Sequence, residues 1–293
     1  MCAYLRQHAE DTQPFCVVQS YYPPHEPYTA PKRYVDVYRG KGIFRPGYYA
    51  AVTAIDDCVG QILATLDEMG VRENTVVLYT SDHGEHFNYR AKNNKTTGHD
   101  DSIRIPMILS WPGTLPAARV VQGAAGLEDV VPTLLELCDV ATPGDLHGKS
   151  LAPLATGAQT EGAATYHVQN VEDFRSYAEW EVHMAGVYPS DSRSHFSPTK
   201  EWDRQRALWT RTHKLVLSEH GDHLLYDLAQ DPEEELNIYG APKGDIFNQY
   251  GHYADQHDLM RDLIENLTQH AEALQDDFGY QLADLAIAQL KQG

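Results

Sequence analysis

Residues 46–70 most constrain the fold. Val52, Ile55, Val59, Ile62, Leu63 and Leu66 recur there at helical spacing, with Pro46 at the opening and Gly70 at the close. Proline suits a first helical turn and glycine a stop, so the stretch predicts one long amphipathic helix whose apolar face needs broad cover. The cover is predicted by three short, almost continuously apolar runs: "FCVVQS" (Phe15 to Ser20), "TVVLYT" (75–80) and "IPMILS" (105–110). Runs of this kind fit strands buried on both faces of a parallel sheet. Strand, helix, strand with short connections gives an α/β fold. A further helix is expected at "EDVVPTLLELC", with Pro132 near its first turn.

From about Thr160 the pattern changes. "ATYHVQ", "RALWTR", "HKLVLSE" and "HLLYDL" mix polar and apolar residues, and "HGD" between the last two is a turn signal. A small antiparallel sheet with a hairpin follows from this. From Ala254 to Leu274, residues Leu259, Leu263, Ile264, Leu267, Ala271 and Leu274 share one helical face that packs on its own domain. The chain therefore reads as an α/β domain over 1–158 and a small α+β subdomain over 159–293, an antiparallel sheet plus a long helix. Three strands are few for a parallel sheet buried on both faces, which suggests that strands are missing upstream.

Charge excludes some partners. Lys plus Arg is 23 against 42 Asp plus Glu, a net charge of −19, which argues against nucleic acid or an anionic membrane surface. The four cysteines are scattered without a CxxC pair and mostly among apolar neighbours, so buried thiols are expected. No apolar run reaches the roughly 18 residues of a membrane span, and "MCAYLRQHAEDTQ" lacks the apolar core of a signal peptide. As written the chain reads as cytoplasmic, and as periplasmic or secreted if an N-terminal part is missing.

In open α/β sheets ligands collect beyond the carboxyl ends of the strands. "TVVLYT" delivers Asp82 and His83 there, "FCVVQS" delivers His25 through the loop "YYPPHEPYTAP", and the polar loop before "IPMILS" carries Lys95 and His99. One acid, three imidazoles and an ammonium on one rim suit a divalent cation beside an oxyanion. Each residue alone has a structural alternative: Asp82 as a turn cap, His83 as a satisfied polar group, His25 as an exposed loop residue, Lys95 as a solvated charge.

Taken jointly, "PFCVVQSYYPPHEPYTAP", "GYYAAVTAIDDCVGQILATLDEMGVRENTVVLYTSDHGE", "KTTGHDDSIRIPMILSWPG", "GLEDVVPTLLELC", "LHGKSLAPLATG" and "RALWTRTHKLVLSEHGDHLLYDLAQDPEEELN" resemble, in order, the sulfatase family of the alkaline phosphatase-like superfamily. The resemblance implies an alkaline phosphatase-like parallel or mixed sheet flanked by helices, and hydrolysis of sulfate esters of small molecules or carbohydrates. It places Asp82 and His83 on a pair of metal ligands, commonly for calcium. It places His25 on the histidine that touches the sulfate and the leaving oxygen, and Lys95, seven residues before Ser102, on the lysine that holds a sulfate oxygen. His99, where many relatives have an aromatic residue, could contact the sugar or aryl part of a substrate or simply pack.

The family also has a first acidic metal-binding pair and a C/S-x-P-x-R motif, whose Cys or Ser becomes the formylglycine nucleophile. Neither is found in this sequence, and "CAYLR" at Cys2 lacks the proline. The chain thus resembles the C-terminal part of a sulfatase, inactive alone and with the missing N-terminal half as a partner. The alternatives are a phosphodiester or phosphonate monoester hydrolase of the same superfamily, and a non-catalytic remnant that binds metal or anion.

Overall fold

The computed structural model describes residues 1–87, 89, 95, 97–170, 204–221, 223–239 and 257–291. The chain divides into two compact units, Met1–Leu78 with Leu109–Ala117 and Tyr79–Ile108 with Ala118–Gly293. In the first unit α1 (Cys2–Gln7) and α2 (Lys32–Tyr38) pack on the long α3 (Pro46–Glu68). Pro46 opens α3 where its missing N–H breaks no bond. The chain leaves the helix through Gly70, whose φ is 68°. Ala50, Ala51, Ile55 and Leu66 are buried along it. Polar ties fix its neighbours: the Arg6 guanidinium donates to Glu68 at 2.8 Å and the Tyr34 hydroxyl to Asp57 at 2.7 Å.

Two of the three predicted buried strands are present. β1 (Val77–Thr80) and β2 (Met107–Ser110) pair with each other, and both are mostly half-buried rather than enclosed on both faces. The third, Phe15–Ser20, is not a strand, because no described backbone group pairs with it. An apolar run alone cannot make a strand, since the ladder's hydrogen bonds belong to the partner as much as to the run. Val18 is consequently 87% exposed. The expected burial of the cysteines also fails: all four are free, Cys2 and Cys58 half-buried, Cys16 and Cys138 exposed, Cys16 because it lies on that unpaired run.

The second unit carries a short turn of helix, α4 (Asp100–Ile103), then α5 (Val130–Leu137) and α6 (Ala152–Thr156). Four strands follow: β3 (Thr165–Asn170), β4 (Gln205–Thr210), β5 (His213–Ser218) and β6 (Leu224–Asp227). They form one antiparallel sheet in that order, as the mixed patterning predicts. The C-terminal helices α7 (His257–Leu274) and α8 (Asp277–Leu290) cover one face. Leu208, Leu215, Leu217 and Leu225 from the sheet join Met260, Leu263, Ile264, Leu267, Leu282 and Ala286 in a single core. Among the described residues no helix is long and apolar enough to cross a membrane.

The period of two along β5 decides what faces where. Leu215 and Leu217 enter the helix core, so Lys214 and Val216 point to the opposite face. Register carries Gln205, opposite Ser218, and Tyr226, opposite Lys214, to that same face. On the helix side Arg206 and His167 meet Asp276, which also caps α8 by accepting the Gly279 amide at 3.0 Å.

Candidate functional site

The chain leaves β1 at Thr80 and enters a tight polar turn. The Asp82 side chain is 84% exposed, yet its Oδ1 accepts the His83 amide at 3.0 Å, which holds the carboxylate over the next residue. Nδ1 of His83 lies 2.7 Å from the carbonyl oxygen of Gly84. A carbonyl can only accept, so Nδ1 carries a proton, and in that tautomer the lone pair lies at Nε2. That nitrogen lies 3.6 Å from Oδ2 of Asp82. A hard oxygen and an imidazole lone pair thus converge at the mouth of the turn.

Gly84 fixes where the turn sits. Its amide donates to the Ser102 carbonyl at 2.7 Å, and a Cβ there would fall 2.2 Å from the Asp101 carbonyl oxygen. Close approach of two backbones, rather than a left-handed φ, is what requires glycine.

The segment 97–102 is packed on its other side too. His99 is buried, with Nδ1 3.0 Å from the Thr97 hydroxyl and Nε2 3.0 Å from the Tyr226 hydroxyl. Both ring nitrogens thus have hydrogen-bond partners within the protein. The Asp100 amide donates to Oε2 of Glu234 at 2.7 Å, and the fully buried Lys214 ammonium pairs with both the Asp100 and Glu234 carboxylates. Burial holds the Glu234 carboxyl above its ordinary range, against the pull of Lys214 and the Asp100 amide.

His25 belongs to the first unit, where it is exposed, its Nδ1 2.8 Å from the Glu26 carbonyl and its ring 4.7 Å from that of Tyr22. As with His83, the bond to a carbonyl fixes the proton on Nδ1. Lys95 is half-buried in the second unit, two residues before Thr97. His86, three residues after His83, is only 2% exposed, and among the described residues neither ring nitrogen has a hydrogen-bond partner.

Comparison with known proteins adds what geometry alone lacks. A family model described as Sulfatase matches residues 2–140. The ulvan-active sulfatase of Formosa agariphila is 30% identical over 260 residues, covering 82% of this chain and 47% of that protein. The crystal structure of yidJ from Bacteroides fragilis superposes with a TM-score of 0.75 at 23% identity, covering 96% of this chain and 58% of that one. The chain belongs to the sulfatase and alkaline phosphatase-like superfamily. A second superfamily structure, the phosphonate monoester hydrolase of Agrobacterium radiobacter, is 25% identical with a TM-score of 0.56 over 77% of this chain and 41% of that one. The chain spans about half the length of the curated relatives it matches.

Superfamily membership implies a divalent ion, and the turn can be tested against one. Ligating histidines usually donate their second ring N–H to a carbonyl or carboxylate, which orients the ring. His83 has that arrangement through Gly84. Among the described residues no cluster of three or more His, Cys, Asp or Glu side chains gathers, and Asp82 and His83 offer two donor atoms, one carboxylate oxygen and one imidazole nitrogen. Lys214 and Glu234, which both bond to Asp100, were not singled out from the sequence. The one available signal was an ammonium at the head of the apolar run Leu215–Leu217.

Proposed function

We propose that this chain is the metal- and anion-binding portion of a sulfuric ester hydrolase that acts on sulfated carbohydrate. The observation that carries the reading is the Asp82–His83 pair, its imidazole tautomer set by the Gly84 carbonyl, at the end of β1. The ulvan-active relative supports a sulfated polysaccharide as the substrate class.

In this reading Asp82 and His83 would hold a divalent ion, with calcium favoured by resemblance, although imidazole nitrogen suits manganese or zinc better. The ion, when bound, supplies positive charge against the non-bridging oxygens of the ester. Lys95 places an ammonium on another of those oxygens. His25 already spends its Nδ1 proton on Glu26, so it acts as an acid only as the imidazolium, passing the Nε2 proton to the departing alkoxide. Attack on sulfur requires a nucleophile, and the 293 residues contain no C/S-x-P-x-R motif to supply formylglycine. In this reading the 293 residues by themselves do not turn over a sulfate ester.

The second reading, phosphonate monoester or phosphodiester hydrolysis, is favoured by the likeness to the Agrobacterium enzyme, since a cation and an ammonium clamp phosphoryl oxygens equally well. Turnover of 4-nitrophenyl sulfate against 4-nitrophenyl phenylphosphonate, by the product of the whole reading frame containing these residues, separates the two. Preference for the phosphonate would replace the sulfatase reading, and calcium binding with neither activity would leave a binding remnant.

A further inference from the structure

The face of the antiparallel sheet turned away from α7 and α8 carries four side chains that each grip one short segment. Gln205 on β4 accepts the Gly98 amide at 2.8 Å through Oε1. Val216 on β5 lies so close to Gly98 that a Cβ there would fall 2.8 Å from its methyl carbons. The Tyr226 hydroxyl on β6 reaches Nε2 of His99 at 3.0 Å. Lys214 on β5 pairs with Asp100, and Glu234 both pairs with Lys214 and accepts the Asp100 amide at 2.7 Å. Three consecutive residues are thus held by three consecutive strands and the turn after them. The hold continues towards the site: the Thr97 and Ser102 hydroxyls are 3.0 Å apart, and the Ser102 carbonyl receives the Gly84 amide next to Asp82 and His83.

We propose that Lys214, Tyr226 and Glu234 are positioning residues, which set the Asp82–His83 turn by clamping residues 98–100 to the sheet. The assignment rests on the reading of that turn as a metal- and anion-binding site. Two features argue that the clamp is more than packing. A buried ion cluster is a poor device for stability, since apolar residues of similar volume often do as well. Its gain is a single allowed arrangement, which a site must have to within a fraction of an ångström. Glu234 also adopts a φ of 56°, a left-handed conformation that a residue with a Cβ normally avoids. Glycine or asparagine would fit that backbone more easily, but only the glutamate supplies the Lys214 counter-charge and the acceptor for Asp100.

The test is hydrogen exchange followed by mass spectrometry on the 293-residue chain, comparing wild type with Tyr226→Phe and Glu234→Ala. Exchange should rise about tenfold in peptides covering residues 80–87 and 97–104 of both variants, while the β4–β5 amides keep wild-type protection. Glu234→Gln, which retains an acceptor for the Asp100 amide, should recover most of the protection. Titration of inorganic sulfate into the calcium-loaded protein should show affinity about tenfold weaker in the first two variants. Unchanged exchange at 80–87 in both variants, or a uniform rise across the sheet in Tyr226→Phe, overturns the clamp. If wild type binds neither calcium nor sulfate, the functional reading fails, and the exchange data still decide whether the sheet sets the turn.

Discussion

The Gly84 amide and the Ser102 carbonyl meet at 2.7 Å, and a methyl group at position 84 would stand 2.2 Å from the Asp101 carbonyl oxygen. The two segments that flank the candidate site therefore touch backbone to backbone. Gly84→Ala must push them apart, and overpacking of this kind costs about 1–3 kcal/mol. Urea denaturation should show the loss as a lower midpoint with unchanged slope. A midpoint equal to wild type would mean that the contact opens freely.

Asp82 has the opposite profile. Its carboxylate faces solvent and its protein hydrogen bond is to the next residue's amide, so Asp82→Ala should change stability by no more than about 0.5 kcal/mol. Calcium binding, followed by isothermal titration, should disappear in the same variant. Equal ion content in wild type and variant would reduce the turn to a strand terminus.

Asp276 should dominate the acid side of the stability curve. Burial opposes its ionisation, but hydrogen bonds from His167, Arg206 and the Gly279 amide outweigh it and hold the carboxyl well below the usual range. A lowered carboxylate contributes stability that is present above its unfolded value and lost as pH falls towards the folded one. Asp276→Asn should flatten stability between about pH 4 and pH 2, and Asp276→Ala, which strands the buried Arg206, should cost about 3–5 kcal/mol at neutral pH. Thermal melts across that pH range decide the matter.

Glu234 should act with the reverse sign. Its carboxyl is raised by burial, so the folded state binds the proton more tightly than the unfolded chain. That contribution is fully present below the unfolded value, about 4.3, and is lost as pH rises through the folded one. Glu234→Gln should remove this decline. A wild-type pH profile superimposable on that of the variant above pH 5 would contradict the assignment.

Local chemistry made several features legible in the residues alone. The helix from Pro46 needs only its own spacing, its proline and Gly70. The antiparallel strands declare themselves by alternation and by the turn at Gly221. The Asp82–His83 pair is legible because both residues follow directly on the strand terminus, whereas the tautomer of His83 is decided by the folded turn that brings the Gly84 carbonyl to Nδ1. Other features depended on partners distant in the chain. Phe15–Ser20 has the composition of a buried strand but no described partner to pair with, and composition cannot supply one. Lys214 finds Asp100 across 114 positions, and Glu234 meets the same residue across 134. Both would pass in sequence for solvated charges, and only packing of the sheet against residues 98–100 excludes water and makes them partners. Ordering by neighbours along the chain belongs to the sequence; desolvation belongs to the fold, because burial of a charge is decided by whatever distant segment comes to cover it.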